Sequence, residues 1–165
     1  MNDPATIDLL TEIISDVETS EFRGDVRVVV PRDLLYAALE CLRDDRKFDL
    51  LVDVTAVDYL NYRGATVRFG LVYLLASTAT NERIAVRTFL DELDLAVRSV
   101  VPLWPGADWM EREAWDMFGI VFDGHPDHRR ILMPEEFTAH PLRKDYPLQG
   151  RGERHNFPVI RRAEA

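Results

Sequence analysis

Between Glu111 and Met133 the sequence EREAWDMFGIVFDGHPDHRRILM gathers the side chains best suited to chemistry. Glu111, Glu113 and Asp116 offer carboxylates that could serve as an acid–base pair or hold Mg²⁺. Helical geometry works against this: positions 111 and 113 stand about 200° apart on a helix, and only 113 and 116 share a face. Arg112, Arg129, Arg130, Arg143 and Lys144 are near enough in sequence to neutralise the acids as ion pairs. His125, Asp127, His128 and His140 could converge on Zn²⁺, since His-x-x-His with a carboxylate makes a ligand set. Pro126 stiffens the backbone between them, however, and no regular element presents them. A His-Pro turn bonded to its neighbours is the simpler expectation.

Other chemistries fail sooner. Gly119 to Gly124 has the glycine spacing of a phosphate loop, but His125 and Pro126 stand where Lys and Ser/Thr must follow. Gly150-Arg-Gly152 does not lead from a strand into a helix, so it is no dinucleotide fingerprint. No serine sits in a G-x-S-x-G elbow. Cys41, the single cysteine, is expected on the buried face of a helix; alone it can form neither an internal disulfide nor an iron–sulfur cluster. What remains is a dense set of Arg/acid pairs mixed with Trp109, Trp115, Phe118 and Phe122. Aromatic and Arg residues anchor interfaces, and bidentate Arg–carboxylate pairs fix orientation.

The elements that must position these groups follow from periodicity. Asp3 and Pro4 predict a capped helix over 4–18, with Ile7, Leu10, Ile13, Ile14 and Val17 as its apolar stripe. A strand is predicted at 25–30, stopped by Pro31, and a second helix at 32–47. Strands at 50–57, 66–76 and 82–90, joined by NYRG and TATN, predict an antiparallel meander. A motif helix is predicted at 109–118, capped by Asp108 and ended by Gly119. The expected fold is α+β: a two-layer sandwich with a four-stranded, largely antiparallel sheet, helices on one face, then the motif helix and an extended Pro-rich C-terminal arm. Two units are expected: residues 1–124 as the α+β body with the motif helix, and 125–165 as the arm.

Charge divides the chain the same way. Of the net −9, residues 1–124 carry −11 and residues 125–165 carry +2. An acidic body is a poor binder of nucleic acid or anionic membrane. The arm holds five of the nine prolines, but also Ile131, Leu132, Met133, Phe137, Leu142, Tyr146 and Phe157. A solvated linker lacks such residues, so the arm is expected to lie on a surface. The acid-dotted N-terminus predicts no export signal, and the longest apolar run, Phe69 to Ala76, is far short of the roughly 20 residues that span a bilayer.

Three motifs in order, ERExxDMF at 111–118, GIVFDGHPDHRRIL at 119–132 and HPLRKDYPLQG at 140–150, resemble the 30-kDa subunit family (the C component) of the proton-pumping NADH:quinone oxidoreductase, respiratory complex I. The departures are Trp115, His128, Phe137 and Ala139, where the family more often has other types. The resemblance implies a non-catalytic scaffold in the hydrophilic arm of the complex, peripheral on the cytoplasmic side of the bacterial inner membrane. It implies no catalytic, cofactor or metal residue in this chain; FMN, iron–sulfur clusters and quinone belong to the assembled complex. The implied partners are the subunit that helps form the quinone cavity (the D component) and the one that holds the terminal cluster (the B component), with membrane contact only through the complex and no nucleic acid. Interface roles are implied for Glu111, Arg112, Glu113, Asp116, Phe118 and Gly119; for His125, Pro126, Arg129 and Arg130; and for His140, Pro141, Leu142, Arg143, Lys144, Asp145 and Tyr146. Glu111, Arg112, Glu113, Asp116, Arg129 and Arg130 are expected to lock the motif helix to the arm. Alternatives are the equivalent subunit of a membrane-bound hydrogenase or another complex I-like dehydrogenase, and a metal-dependent hydrolase using His125, His128 and Asp116.

Overall fold

The computed structural model describes residues 4–14, 18–23 and 25–153. Helix α1 (Pro4–Ile13) is followed by strands β1 (Glu18–Phe22) and β2 (Asp25–Val29), a single 3-10 turn at Arg32–Leu34, and helix α2 (Leu35–Asp44). Strands β3 (Leu50–Asp58), β4 (Phe69–Ala76), β5 (Arg83–Leu90) and β6 (Ala96–Arg98) precede helix α3 (Ala107–Phe118) and strand β7 (Val121–Asp123). The main sheet has five strands in the order β1-β2-β5-β4-β3, antiparallel except where β2 runs parallel to β5. β6 and β7 form a separate parallel pair.

One face of the sheet is apolar row by row. Val28, Val86, Tyr73 and Val54 stand side by side across four strands, and all four are buried. Val26, Ile84, Leu75 and Leu51 form a second such row. Between Leu51 and Asp53 the register of β3 shifts by a bulge. Side chains alternate with a period of two, so without the extra residue Asp53 and Thr55 would point into the core in place of Val54 and Ala56. The helices cover this face: Leu10 and Ile14 from the first helical segment and Leu35, Ala38, Leu39 and Leu42 from α2 join the sheet residues in one core. Helix α3 lies along β3.

The α+β class with helices on one face is as expected; the pair β6 and β7 was not expected, and three further elements differ. The first helix ends at Ile13 and Glu18 is already extended in β1, so the sheet has five strands rather than four; Asp3 and residues 15–17 lie outside the described residues. The second helix stops at Asp44, and Lys47, at φ 58, turns the chain toward β3. The link from β3 to β4 runs from Tyr59 to Arg68, with NYRG making two successive turns inside it, which delays β4 to Phe69. Cys41 stands half-buried at the margin of α2 rather than in the core, and burial pushes its thiol up to about 11. No helix among the described residues is long and apolar enough to cross a membrane.

Candidate functional site

Helix α3 begins after Gly106 and ends on Gly119, whose φ of 81 is the left-handed conformation that suits glycine at a helix end. Asp108 is therefore not the cap; it sits in the first turn, where its charge faces the positive end of the helix dipole. Along α3, Glu111, Ala114, Asp116, Met117 and Phe118 turn inward, while Trp109 and Glu113 are exposed.

Asp116 is the centre of the site. Its buried Oδ2 accepts the backbone N–H groups of Ile131, Leu132 and Met133 at 3.1, 2.8 and 2.8 Å. Its Oδ1 takes Arg130 Nη1 as an ion pair. Burial pushes the carboxyl up, but the three N–H donors and the guanidinium outweigh it and hold Asp116 below the usual carboxylate range. Arg130 also donates to the Ala139 carbonyl at 3.1 Å and lies over the rings of Trp115 and Phe137. Arg112 reaches the same segment, donating to the carbonyls of Arg129 and Arg130 at 3.0 and 3.1 Å.

The third motif closes the end of α3. The last carbonyls of a helix have no partner within it. Here His140 Nδ1 donates to Asp116 O at 3.1 Å, Leu142 N to Met117 O at 3.1 Å, and Arg143 Nε to Phe118 O at 2.6 Å. HPLR is thus the C-terminal cap of the motif helix, supplied from residues some 25 positions downstream. The next residues fasten to the sheet. Lys144 N donates to Asp58 Oδ2 at 2.9 Å, and Arg68 bridges Asp58 and Asp145 at 3.0 and 2.9 Å while also pairing with Glu92. Tyr146 O–H then donates to Glu153 at 3.0 Å. Through Asp145 the tail is fastened to the chain's own body, and the expected arm beyond 153, residues 154–165, lies outside the described residues.

Glu111 does not take part in this lock. Fully buried, it accepts Ser99 O–H at 2.7 Å and Val100 N–H at 2.7 Å, on the loop that follows β6. His125 Nε2 is 3.9 Å from it. His125 Nδ1 accepts Asp127 N–H at 3.0 Å, which leaves the proton on Nε2 for the Asp108 carbonyl at 3.1 Å. Burial pushes the Glu111 carboxyl up to about 7 against the opposing pull of the Ser99 and Val100 bonds. Glu113 makes no ion pair among the described residues and stands at the surface, so it too is outside the lock. Arg129 is exposed and pairs bidentately with Asp127 at 2.6 and 2.7 Å rather than with α3.

The remaining candidates fall as follows. Pro126 is exposed, Pro141 half-buried and Leu142 54% exposed. His128 accepts Phe122 N–H at 3.4 Å and packs on Trp115. His125, His128 and His140 are thus each committed to backbone groups, and Asp116 is saturated by the tail. Among the described residues no group of three or more His, Cys, Asp or Glu could hold a metal. Asp58, Arg68, Glu92 and Ser99 were not singled out by sequence. The available signal was a second carboxylate closing the strand LLVDVTAVD, where an acid at a buried position demands a partner.

Residues 28–152 match the family model described as "Respiratory-chain NADH dehydrogenase, 30 Kd subunit". The chain is 50% identical over 134 residues to a protein of Citrifermentans bemidjiense named as the C component of NADH-quinone oxidoreductase, covering 81% of each. It is 46% identical to the protein of that name from Thiobacillus denitrificans, covering 88% of this chain and 76% of the relative. Among solved structures it resembles a trypsin-resistant fragment (1–134) of Nqo5, with TM-score 0.66 and 32% identity, covering 73% of this chain and 97% of the other. A chain of the membrane-bound sulfane sulfur reductase, an archaeal respiratory membrane complex, shares the fold at TM-score 0.75 and 23% identity, over 96% of this chain and 92% of the other.

Proposed function

The chain belongs to the respiratory-chain NADH dehydrogenase 30 Kd subunit family, and from that premise we propose that it is a non-catalytic scaffold of the hydrophilic arm of a proton-translocating NADH:quinone oxidoreductase. In this role it packs against the subunit that helps form the quinone cavity and near the one that holds the terminal cluster, on the cytoplasmic side of the inner membrane. FMN, the clusters and the quinone sit in its neighbours, and the chain touches the membrane only through the assembly. Residues 1–124 act as the body and 125–165 as the arm, whose last part runs over the quinone-cavity subunit.

One observation carries the proposal: five ionisable groups of the motifs spend their bonds on fastening tail to helix. Asp116, Arg130, Arg112, His140 and Arg143 each bind backbone or a partner charge within the chain. None is left poised toward an open cleft, as a catalytic group must be. The site therefore shapes a surface, and on that surface Trp109, Leu132 and Leu142 are 69%, 60% and 54% exposed. Large exposed apolar side chains beside a rigid, internally bonded frame suit a docking face. The hydrolase alternative has no such support, because His125, His128 and Asp116 have their bonding atoms occupied elsewhere.

The test is to tag the chain in its host, extract membranes in mild detergent, and assay what co-purifies. A large assembly holding flavin, clusters and NADH-to-quinone activity is the expected result. The same assembly without NADH oxidation points to a hydrogenase-like relative, and a lone chain with bound metal sinks the scaffold proposal.

A further inference from the structure

Helix α3 carries a second pair of aromatic and acid on its outer side. Trp109 and Glu113 are four residues apart, which on a helix makes them neighbours on one face. Both are exposed, and they line a groove of about 590 Å³ that Met110, Ile131 and Leu132 help to wall. Of the residues that line it, Glu113 alone is charged. Its carboxylate makes no ion pair, and the Trp109 indole no ring contact, among the described residues.

The inner side of the helix shows what such a pair holds. Arg130 lies over Trp115, with Cζ 5.5 Å from the ring centroid, while its Nη1 pairs with Asp116. A guanidinium does both at once because it is planar, stacks on an aromatic face and still directs N–H groups at a carboxylate. Trp109 and Glu113 offer the same two partners, and the nearby cations of the motifs are committed: Arg112 donates to the carbonyls of Arg129 and Arg130, and Arg129 pairs with Asp127. The surroundings favour a cation from elsewhere. Glu135 and Glu136 are exposed in the turn after Met133, and residues 1–124 carry −11. A lysine pairs with a carboxylate as a point charge and lacks the flat face that stacks on an indole. A second copy of this chain brings the same acidic body, so like charge opposes it.

We infer that the groove of Trp109 and Glu113 receives an arginine of a neighbouring subunit, its guanidinium stacked on the indole and paired with the carboxylate, with an apolar side chain beside it seated against Met110, Ile131 and Leu132. The inference rests on the assembly proposed above and deepens it, by naming the residue type that the exposed side of α3 takes from its partner. Tryptophan and arginine are the residues that most often dominate binding at an interface, and here one of each meets inside an apolar rim that keeps water out.

The test places the photo-cross-linker p-benzoylphenylalanine at position Leu132, on the groove wall, in the tagged chain in its host. After irradiation, the purified assembly is digested and the linked peptides are identified by mass spectrometry. Expected is a link to an arginine-bearing peptide of another subunit. Glu113→Lys, at an exposed position where the fold is not at stake, should cut the yield of that link about tenfold through lost attraction and added repulsion. Trp109→Leu, which keeps the groove apolar, should cut it about threefold. Changing the linked arginine to glutamate should lower the yield as well, and combining that change with Glu113→Lys should restore it. A link to a peptide without arginine, to a second copy or to residues 154–165 of this chain overturns the inference. So does a yield indifferent to Glu113→Lys, or one that the paired reversal does not restore. If the chain co-purifies with other subunits and position Leu132 links to none of them, the inference alone fails. If it co-purifies with none, the assembly proposal fails, and the inference with it.

Discussion

Arg130 and Asp116, fourteen residues apart, form a buried ion pair in which the carboxylate also accepts three consecutive backbone N–H groups. The pair converts a stretch with no helix or strand of its own into a fixed part of the body. The backbone of 131–133 wraps one carboxylate oxygen, and the guanidinium, seated between Trp115 and Phe137, holds the other.

Arg130→Ala removes the cation and leaves Asp116 charged in a buried site. Breaking one side of such a pair destabilises by roughly 3 kcal/mol. The urea midpoint of the isolated chain should fall accordingly, with trypsin cutting faster after Arg129 and Arg143. An unchanged midpoint would mean that the three N–H groups alone satisfy the carboxylate.

Glu111 should make the chain more stable in mild acid. Its folded value of about 7 lies above the usual carboxylate value near 4.3, so between these limits the folded state holds the extra proton. Its contribution is complete below pH 4 and lost as pH rises to 7, a change on the order of 3 kcal/mol. His128 and His140, both pushed down chiefly by burial, oppose it, because the unfolded chain binds their protons first. Subtracting the Glu111→Gln profile from the wild-type one isolates the Glu111 contribution. A flat difference between pH 4.5 and 7 would refute this account.

Gly119→Ala strikes where helix end and tail meet. The new Cβ would lie 2.6 Å from Arg143 Nη2 and 2.7 Å from His140 Nε2, on a backbone with φ of 81. The left-handed conformation alone costs a non-glycine residue about 1–2 kcal/mol. The expected result is a lower melting temperature and faster tryptic cleavage at Arg143 and Lys144. Cleavage at the wild-type rate would show that the tail does not depend on this approach.

Tyr73→Phe should raise stability. The Tyr73 hydroxyl is buried in the central row of the sheet with no hydrogen-bond partner among the described residues. An unsatisfied buried hydroxyl costs about 1–3 kcal/mol, which removing the oxygen recovers in part. A loss of stability on thermal unfolding would reveal a partner for the hydroxyl in solution.

Periodicity made the large elements legible. β5 alternates cleanly enough to show which face is buried, whereas β4, an unbroken apolar run, takes its buried face from its neighbours, and α3 shows its inward residues at helical spacing. β1, with the sequence ETSEF, has no alternation of its own and is extended only because β2 pairs with it. β6 and β7 are three residues each, too short for any pattern. The bulge in β3 is invisible in LLVDVTAVD until the neighbouring strand sets the register. At the site, the residue types announced ion pairs without naming the partners. Asp116 met Arg130, whereas Glu111 turned to Ser99, and Asp58 found Lys144 from 86 residues away. Contacts of that span depend on the packed fold, and no local rule finds them.

The bond from Lys144 to Asp58 also sets an order of events during synthesis. β3 leaves the ribosome early and Asp58 with it, yet its N–H donor is translated 86 residues later. Until then Asp58 has its partners Arg68 and the Leu60 N–H but not the Lys144 bond, and the last carbonyls of α3 lack their tail donors. A nascent chain halted before residue 140 can build its sheet but cannot close this seam. The seam therefore marks translation past the third motif and separates a chain ready for its partners from one still being made.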